Sequence, residues 1–256
     1  MTEQEWLTPS DDAITICRKL DYLIGKASER KFNLFRFACC RQIWHLLLHD
    51  LYRQAIQSAE RLIEAQSSRE ELESAILLAE NMILAVQANS TRSPHRVLEI
   101  RAATVAIHAA KADYEWLSFP NTASYACGIV QEATSAACWA AATDACWPNE
   151  QSTPSPEWPD VYTKMQHGHT NLQGLILLDV FGNPFRPVTI DSQLLTPPVV
   201  QLAQTIYADR CFDRMGKLAD ALYDAGCDND EILNHCRGLG PHVRGCWVVD
   251  MVLGKE

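Results

Sequence analysis

The sequence predicts an all-α protein: a multi-helix, bundle-like body that finishes in several short C-terminal helices. Three observations carry this. Apolar residues recur with the 3.6-residue period of an amphipathic helix, and helix-starting caps punctuate the chain. Alternating apolar and polar residues, the pattern of a half-buried strand, occur only in a short candidate strand at Val188 to Ile190.

Taken in order, residues 11–25 read as a helix ending near Gly25, and Ser28 is placed to cap a second helix from about Glu29 to beyond Leu51. At 100° per residue that second helix gathers Phe32, Cys39, Ile43 and Leu46 on one side and Arg41, Gln42, His45, His49 and Arg53 on the other. Ser68 with Glu71 forms a capping box opening a helix to about Gln87. Ser93-Pro94 reads as a cap with proline at the first helical position, leading a helix to about Leu117. Thr122 to Trp147 is alanine-rich, and its Cys127, Cys138 and Cys146 sit among small residues that let helices pack closely.

The stretch from Pro148 to Pro159 cannot continue a helix. The expected organisation is an N-terminal helical region over 1–147, a linker or surface loop over 148–160, and a C-terminal helical region over 161–256 packed on the first. Val161 to Val180 reads as a helix whose start is interrupted by His167-Gly-His169. The turn-rich segment Phe181 to Pro187 follows, then four short helices over Pro198 to Ala208, Asp213 to Ala225, Asp228 to Cys236 and Pro241 to Leu253. Asp213 and Asp228 are the expected N-caps, and Gly226 the expected C-cap.

With 256 residues, 47% of them hydrophobic, the chain can bury a substantial core. A formal charge of −10 and a pI near 5.3 argue against general binding to nucleic acid or to an anionic membrane, which needs clustered Lys and Arg. No run approaches the length of uninterrupted apolar residues that spans a bilayer, and the N-terminal residues lack the features of a secretory signal. A cytoplasmic protein is expected, with its ten cysteines reduced and serving mostly as small buried hydrophobes.

The densest chemistry lies near the C-terminus, where His235, Cys236, His242 and Cys246 fall within twelve positions, a metal-ligand composition interrupted by turn-forming glycines. A zinc site would recruit Cys236, His242 and Cys246, with His235, Cys227, Cys39 or Cys40 as fourth ligand. The spacing is irregular: His242 and Cys246 make one tight knuckle, Cys236 and His242 a loose one. The preferred, plainer expectation has Cys236 ending a core-packed helix, Gly238 and Gly240 making a turn, Pro241 starting the last helix, and Cys246 and Trp247 packing inward. His45 and His49, four apart, are a weaker candidate pair. Arg186, the one charge in its rigid turn, suits an anion or a tether to helix C-terminal carbonyls, the tether being favoured.

Several segments together resemble a family of uncharacterised bacterial proteins of the planctomycete type. They are Glu5 to Leu7, Gly25 to Lys31, Phe37 to Arg41 with Ile43 to His45, Phe181 to Pro187, Leu218 to Leu222, Ala225 to Cys227, and the run from His235 to Asp250. The resemblance covers roughly the first 60 and last 80 residues and implies a shared fold and a soluble bacterial setting, with no reaction attached. The chain contains no phosphate loop, nucleophile elbow, dinucleotide fingerprint or His-Glu-x-x-His motif. By elimination the first functional expectation is a protein- or peptide-binding scaffold, its acidity favouring a basic partner. A zinc protein using the C-terminal cluster is the alternative. A Cys/His-dependent enzyme, pairing Cys236 or Cys246 with His242 and Asp250, is the second.

Overall fold

The computed structural model describes residues 1–8, 12–88, 94–111, 122–146 and 157–255, and these form helices without a strand among the described residues. The α-helices are α1 (Glu3–Leu7), α2 (Ala13–Tyr22), α3 (Glu29–Gln42), α4 (Asp50–Ile63), α5 (Arg69–Ala88), α6 (Pro94–Lys111), α7 (Thr122–Cys146) and α8 (Trp158–Phe181), followed by the shorter α9 (Pro197–Asp209), α10 (Met215–Asp224), α11 (Asp230–Arg237) and α12 (Trp247–Leu253).

The caps explain several starts. Ser28 accepts from the Lys31 amide to open α3, and Ser68 accepts from the Glu71 amide to open α5. Other expected boundaries move. The second helix stops at Gln42, and a 3₁₀ turn at Trp44–Leu46 carries His45 while His49 precedes α4. The two imidazoles therefore never share a helix face; His49 instead pairs with Glu99 at 3.1 Å. Helix α8 begins at Trp158, three residues inside the expected linker, and runs unbroken through His167-Gly168-His169. Residues 148–156 of that linker, Ser93, and the expected end of the sixth helix beyond Lys111 lie outside the described residues. Asn229, rather than Asp228, caps α11, accepting from the Glu231 and Ile232 amides, and Asp213 lies in a 3₁₀ turn ahead of α10. Val188 and Ile190 form no strand; they lie in the irregular segment after α8 and pack on the C-terminal core.

Helix α3 is the pivot. Every residue from Phe32 to Cys40 is buried, because opposite faces of the helix enter different cores. Phe37 and Cys40 face a core built with α4, α5, α6 and α7, while Phe32, Phe35 and Cys39 face one built with Trp6, α2, α7 and α8. The four short C-terminal helices bury their own core around Ile206, Leu218, Ile232 and Val249.

The C-terminal helices are fixed to the rest by buried ion pairs. Asp250 on α12, 1% exposed, meets Arg30 at 2.8 Å and Lys31 at 2.6 Å, both from the first turn of α3. Glu64, just past α4 and 3% exposed in its side chain, accepts from Arg30, Tyr207 and Lys255. Glu60 is held between Arg41 and Arg210. Burial would raise the Glu64 carboxyl, but Lys255, Tyr207 and Arg30 outweigh it and hold it below its ordinary value. Cys17 on α2 and Cys127 on α7 are joined by a disulfide, which corrects the expectation of uniformly free thiols and of Cys127 as mere filler. Cys39, Cys40, Cys138, Cys227, Cys236 and Cys246 are free and buried, as small hydrophobes should be.

Two outcomes follow. Glu64→Gln leaves Lys255 and Arg30 facing a neutral amide and should cost about 3 kcal/mol in denaturant unfolding at neutral pH. Because the folded carboxyl titrates below its unfolded value, the Glu64 contribution is complete above the ordinary carboxylate range and fades as pH falls through and below it, so mutant and parent should converge in stability on acidification. A gap that stays constant from neutral pH down through the ordinary carboxylate range contradicts the assignment. Unfolded, unreduced protein should also titrate at most eight of its ten cysteines with a thiol reagent, the Cys17–Cys127 pair remaining silent until reduced.

Candidate metal centre

Four polar side chains converge where α8 ends, α11 ends and α12 begins. Asp179 comes from the last turn of α8, His235 from the last turn of α11, and His242 and Cys246 from the loop that returns the chain to α12. One ligand-type atom from each lies within 4.8 Å of all the others. The loop needs its glycines for this. Gly240, at φ +83°, would place a Cβ 2.8 Å from the His242 amide, and Gly245, at φ +97°, would place one 3.0 Å from the Leu34 side chain of α3. Pro241 lies in this loop, so the last helix starts at Trp247 and not at Pro241 as expected.

Asp179 organises the cluster. It is 3% exposed; its Oδ1 accepts from His242 Nδ1 at 2.7 Å and from His235 Nε2 at 3.1 Å, and its Oδ2 accepts from the Val243 amide at 2.9 Å. Burial would raise its pKa, but the bonds from His235 and His242 outweigh that and hold the carboxyl below its ordinary value. His242 places Nε2 3.3 Å from the Gly238 carbonyl, so both ring nitrogens face acceptors and both carry protons. Burial opposes that charge, yet Asp179 prevails and His242 is raised above its ordinary value.

His235 is held differently. Its Nδ1 accepts from the Trp247 indole N–H at 3.1 Å and so bears a lone pair, which puts the ring proton on Nε2, between Asp179 Oδ1 and the Cys246 sulfur at 3.2 Å. The His235 ring stands 4.9 Å from that of His242 and 5.0 Å from that of Trp247. Cys246 is fully buried, and burial, followed by the nearby Asp179 charge, pushes its thiol far above the ordinary value. Such a thiol is a poor nucleophile.

His235, His242 and Cys246 were singled out from the sequence, and they meet here. Cys236 does not join them: one position from His235, it sits about 100° round α11 and lies in the C-terminal core. Cys227 lies in that core too. Cys39 and Cys40 belong to the two cores on either side of α3, with no place in the cluster. The contact between this segment and α3 comes earlier in the helix, where Lys31 donates to the Gly245 carbonyl at 2.7 Å and Val243 packs into the core containing Phe32 and Phe35. His167 and His169, two apart on a continuous helix, point to different faces. The member of the cluster that sequence reasoning missed is Asp179. Its signal was a lone acid inside the apolar run Leu175 to Phe181, where an ionised side chain has to find partners.

Beside the cluster opens a cleft of about 920 Å³. His235 and Trp247 line it, together with Gly182 and Asn183 of the turn after α8, Lys31 of α3 and Glu231 of α11. Arg186 stands on the rim with its side chain 64% exposed, bound to Glu3 at 2.6 Å. It is a tether, but to a carboxylate in the first turn of α1 and not to helix C-terminal carbonyls. Trp6 and Asn183 complete that clamp, the Trp6 indole donating to the Gly182 carbonyl at 2.9 Å and the Asn183 amide to Glu3 at 2.8 Å.

Removing Asp179 leaves a buried imidazolium and a second ring N–H without their acceptor. Asp179→Ala should therefore lower unfolding free energy by about 3–5 kcal/mol, and Asp179→Asn by less. A loss below about 1 kcal/mol for the alanine variant would mean that these groups are solvated and not enclosed as described.

Comparison of the chain with family models, with curated proteins and with solved structures finds no match.

Proposed function

We propose that this chain is a helical scaffold built around a zinc-class metal centre of Asp179, His235, His242 and Cys246. The observation that carries the reading is the convergence of one carboxylate, two imidazoles and one thiol from three separated stretches of chain within 4.8 Å. A tetrahedral zinc ion holds such donors roughly 3.2–3.8 Å apart, so the widest pair closes by about 1 Å and the hydrogen-bonded Asp179 and His242 pair opens slightly. His242 already has the outer contact that a metal-bound imidazole uses: with Nδ1 as ligand, Nε2–H donates to the Gly238 carbonyl.

Charge balance supports the same reading. Filled with protons, the cluster is neutral, Asp179 negative and His242 positive, with His235 and the Cys246 thiol uncharged. A divalent ion that displaces one proton from His242 and one from Cys246 leaves the site neutral again, so a buried location is acceptable in both states. The buried thiol that suits a nucleophile poorly suits a metal ligand, because the ion itself draws off the proton.

A second reading, recognition of a protein or peptide, is favoured by the cleft of about 920 Å³ beside His235. The cleft lining balances Glu3, Glu231 and Asp250 against Lys26, Lys31, Arg186 and Lys255, so it is the −10 carried by the whole chain that makes a lysine-rich peptide the expected occupant over a glutamate-rich one of the same length. Equal affinity for both peptides, or none, removes this second reading.

Metal-stripped protein titrated with zinc should take up one equivalent, and cobalt(II) loading should show sulfur-to-cobalt charge transfer. Asp179→Asn, His242→Gln and Cys246→Ser should each weaken zinc by at least about tenfold, whereas Cys236→Ser should bind like the parent. A parent protein that retains no zinc through gel filtration and gives no titration signal refutes the metal reading.

A further inference from the structure

We infer that the indole of Trp247 acts as a lock on the metal-free centre, so that metal occupancy and the state of the neighbouring cleft are coupled. This rests on the metal reading above and extends it to a residue that is not itself a ligand. The geometry points to it through one nitrogen. The cluster can use His235 only through Nε2, the atom that faces Asp179 and Cys246. A metal on Nε2 takes the lone pair there, and the ring proton must move to Nδ1 for the imidazole to remain neutral. Nδ1 is the atom that now accepts from the Trp247 N–H at 3.1 Å. After the exchange two N–H groups point at each other, and neither can accept.

The contrast with His242 makes this a specific feature of the site. Its outward nitrogen faces the Gly238 carbonyl, an acceptor that is satisfied whether the inner nitrogen holds a proton or a metal. The outward nitrogen of His235 faces a donor, which favours the proton-filled tautomer alone. Metal-ligating imidazoles ordinarily donate outward, so the Trp247 contact opposes loading. In the loaded state the indole N–H has to leave His235.

The route for that movement is set by packing. Trp247 stands at the start of α12 with its ring against the Gly182 backbone, where a Cβ would fall 3.1 Å from Trp247 Cγ. The indole and His235 both line the cleft, so an N–H released from His235 is presented to that space. Loading therefore adds a hydrogen-bond donor to the cleft wall. A ligand there that offers a carbonyl or carboxylate oxygen would satisfy it and in turn favour metal binding, a reciprocal coupling required by linkage.

Trp247→Phe keeps an aromatic ring and deletes only the N–H donor. Zinc titration of the stripped proteins should show this variant binding roughly two- to tenfold tighter than the parent, the range expected for removing one opposing neutral hydrogen bond. A purely structural role predicts the reverse, since a smaller ring loosens the wall that holds His235. Equal or weaker zinc binding by Trp247→Phe, with the parent binding zinc, overturns the lock and leaves the metal centre standing. Absence of zinc binding by the parent overturns both. Should the variant fail to fold, the parent alone decides: the indole N–H resonance of Trp247 must shift on zinc addition, and a resonance unmoved at one equivalent of bound zinc overturns the proposal.

Discussion

Four carboxylates that the fold takes out of water hold this molecule together. Glu60, Glu64, Asp179 and Asp250 are each nearly inaccessible, and none has a sufficient partner on its own helix. A buried anion without compensation is far too costly to keep, so each dictates where distant cations must lie. Asp250 requires the start of α3, Glu64 requires α9 and the C-terminal lysine, and Asp179 requires the two imidazoles that the loop before α12 delivers. Hydrophobic burial makes three cores, and these charge pairings set how the C-terminal core sits against the other two.

The same constraint gives the candidate centre its chemistry. A carboxylate compensated by a protonated imidazole and a neutral one forms a neutral assembly in which Asp179 Oδ1 faces both rings and the Nε2 of His235 also faces the Cys246 sulfur. The glycine-rich return loop brings His242 and Cys246 to the end of α8, while α11 contributes His235 from its last turn. The ends of helices meet there, which leaves room for a cleft beside the cluster. Loop 181–188, clamped by Glu3 and Trp6 through Gly182, Asn183 and Arg186, forms part of its wall.

Much of this was legible in the chain of residues. The caps at Ser28 and Ser68, the apolar period and the near absence of alternation specify local conformation, because hydrogen bonding within a turn and burial of one helix face depend on neighbours in sequence. The concentration of His and Cys between His235 and Cys246 marked the right region for the cluster. The irregular spacing has a plain explanation: Cys236 is not part of the cluster, and its fourth member, Asp179, lies more than fifty residues away on another helix.

What the tertiary structure decided was which neighbours in sequence part company. His235 and Cys236 are adjacent, yet one faces the cluster and the other the core, because a helix turns 100° between them. Cys39 and Cys40 separate across α3 for the same reason. The sequence by itself determined a helical chain, its capping points and its most ligand-rich segment, all consequences of interactions within a few residues. Only three-dimensional packing could select Asp179 over any thiol, pair Cys17 with Cys127, and set a tryptophan N–H against the outward nitrogen of His235, because each joins groups whose proximity depends on how helices distant in sequence bury their shared surfaces.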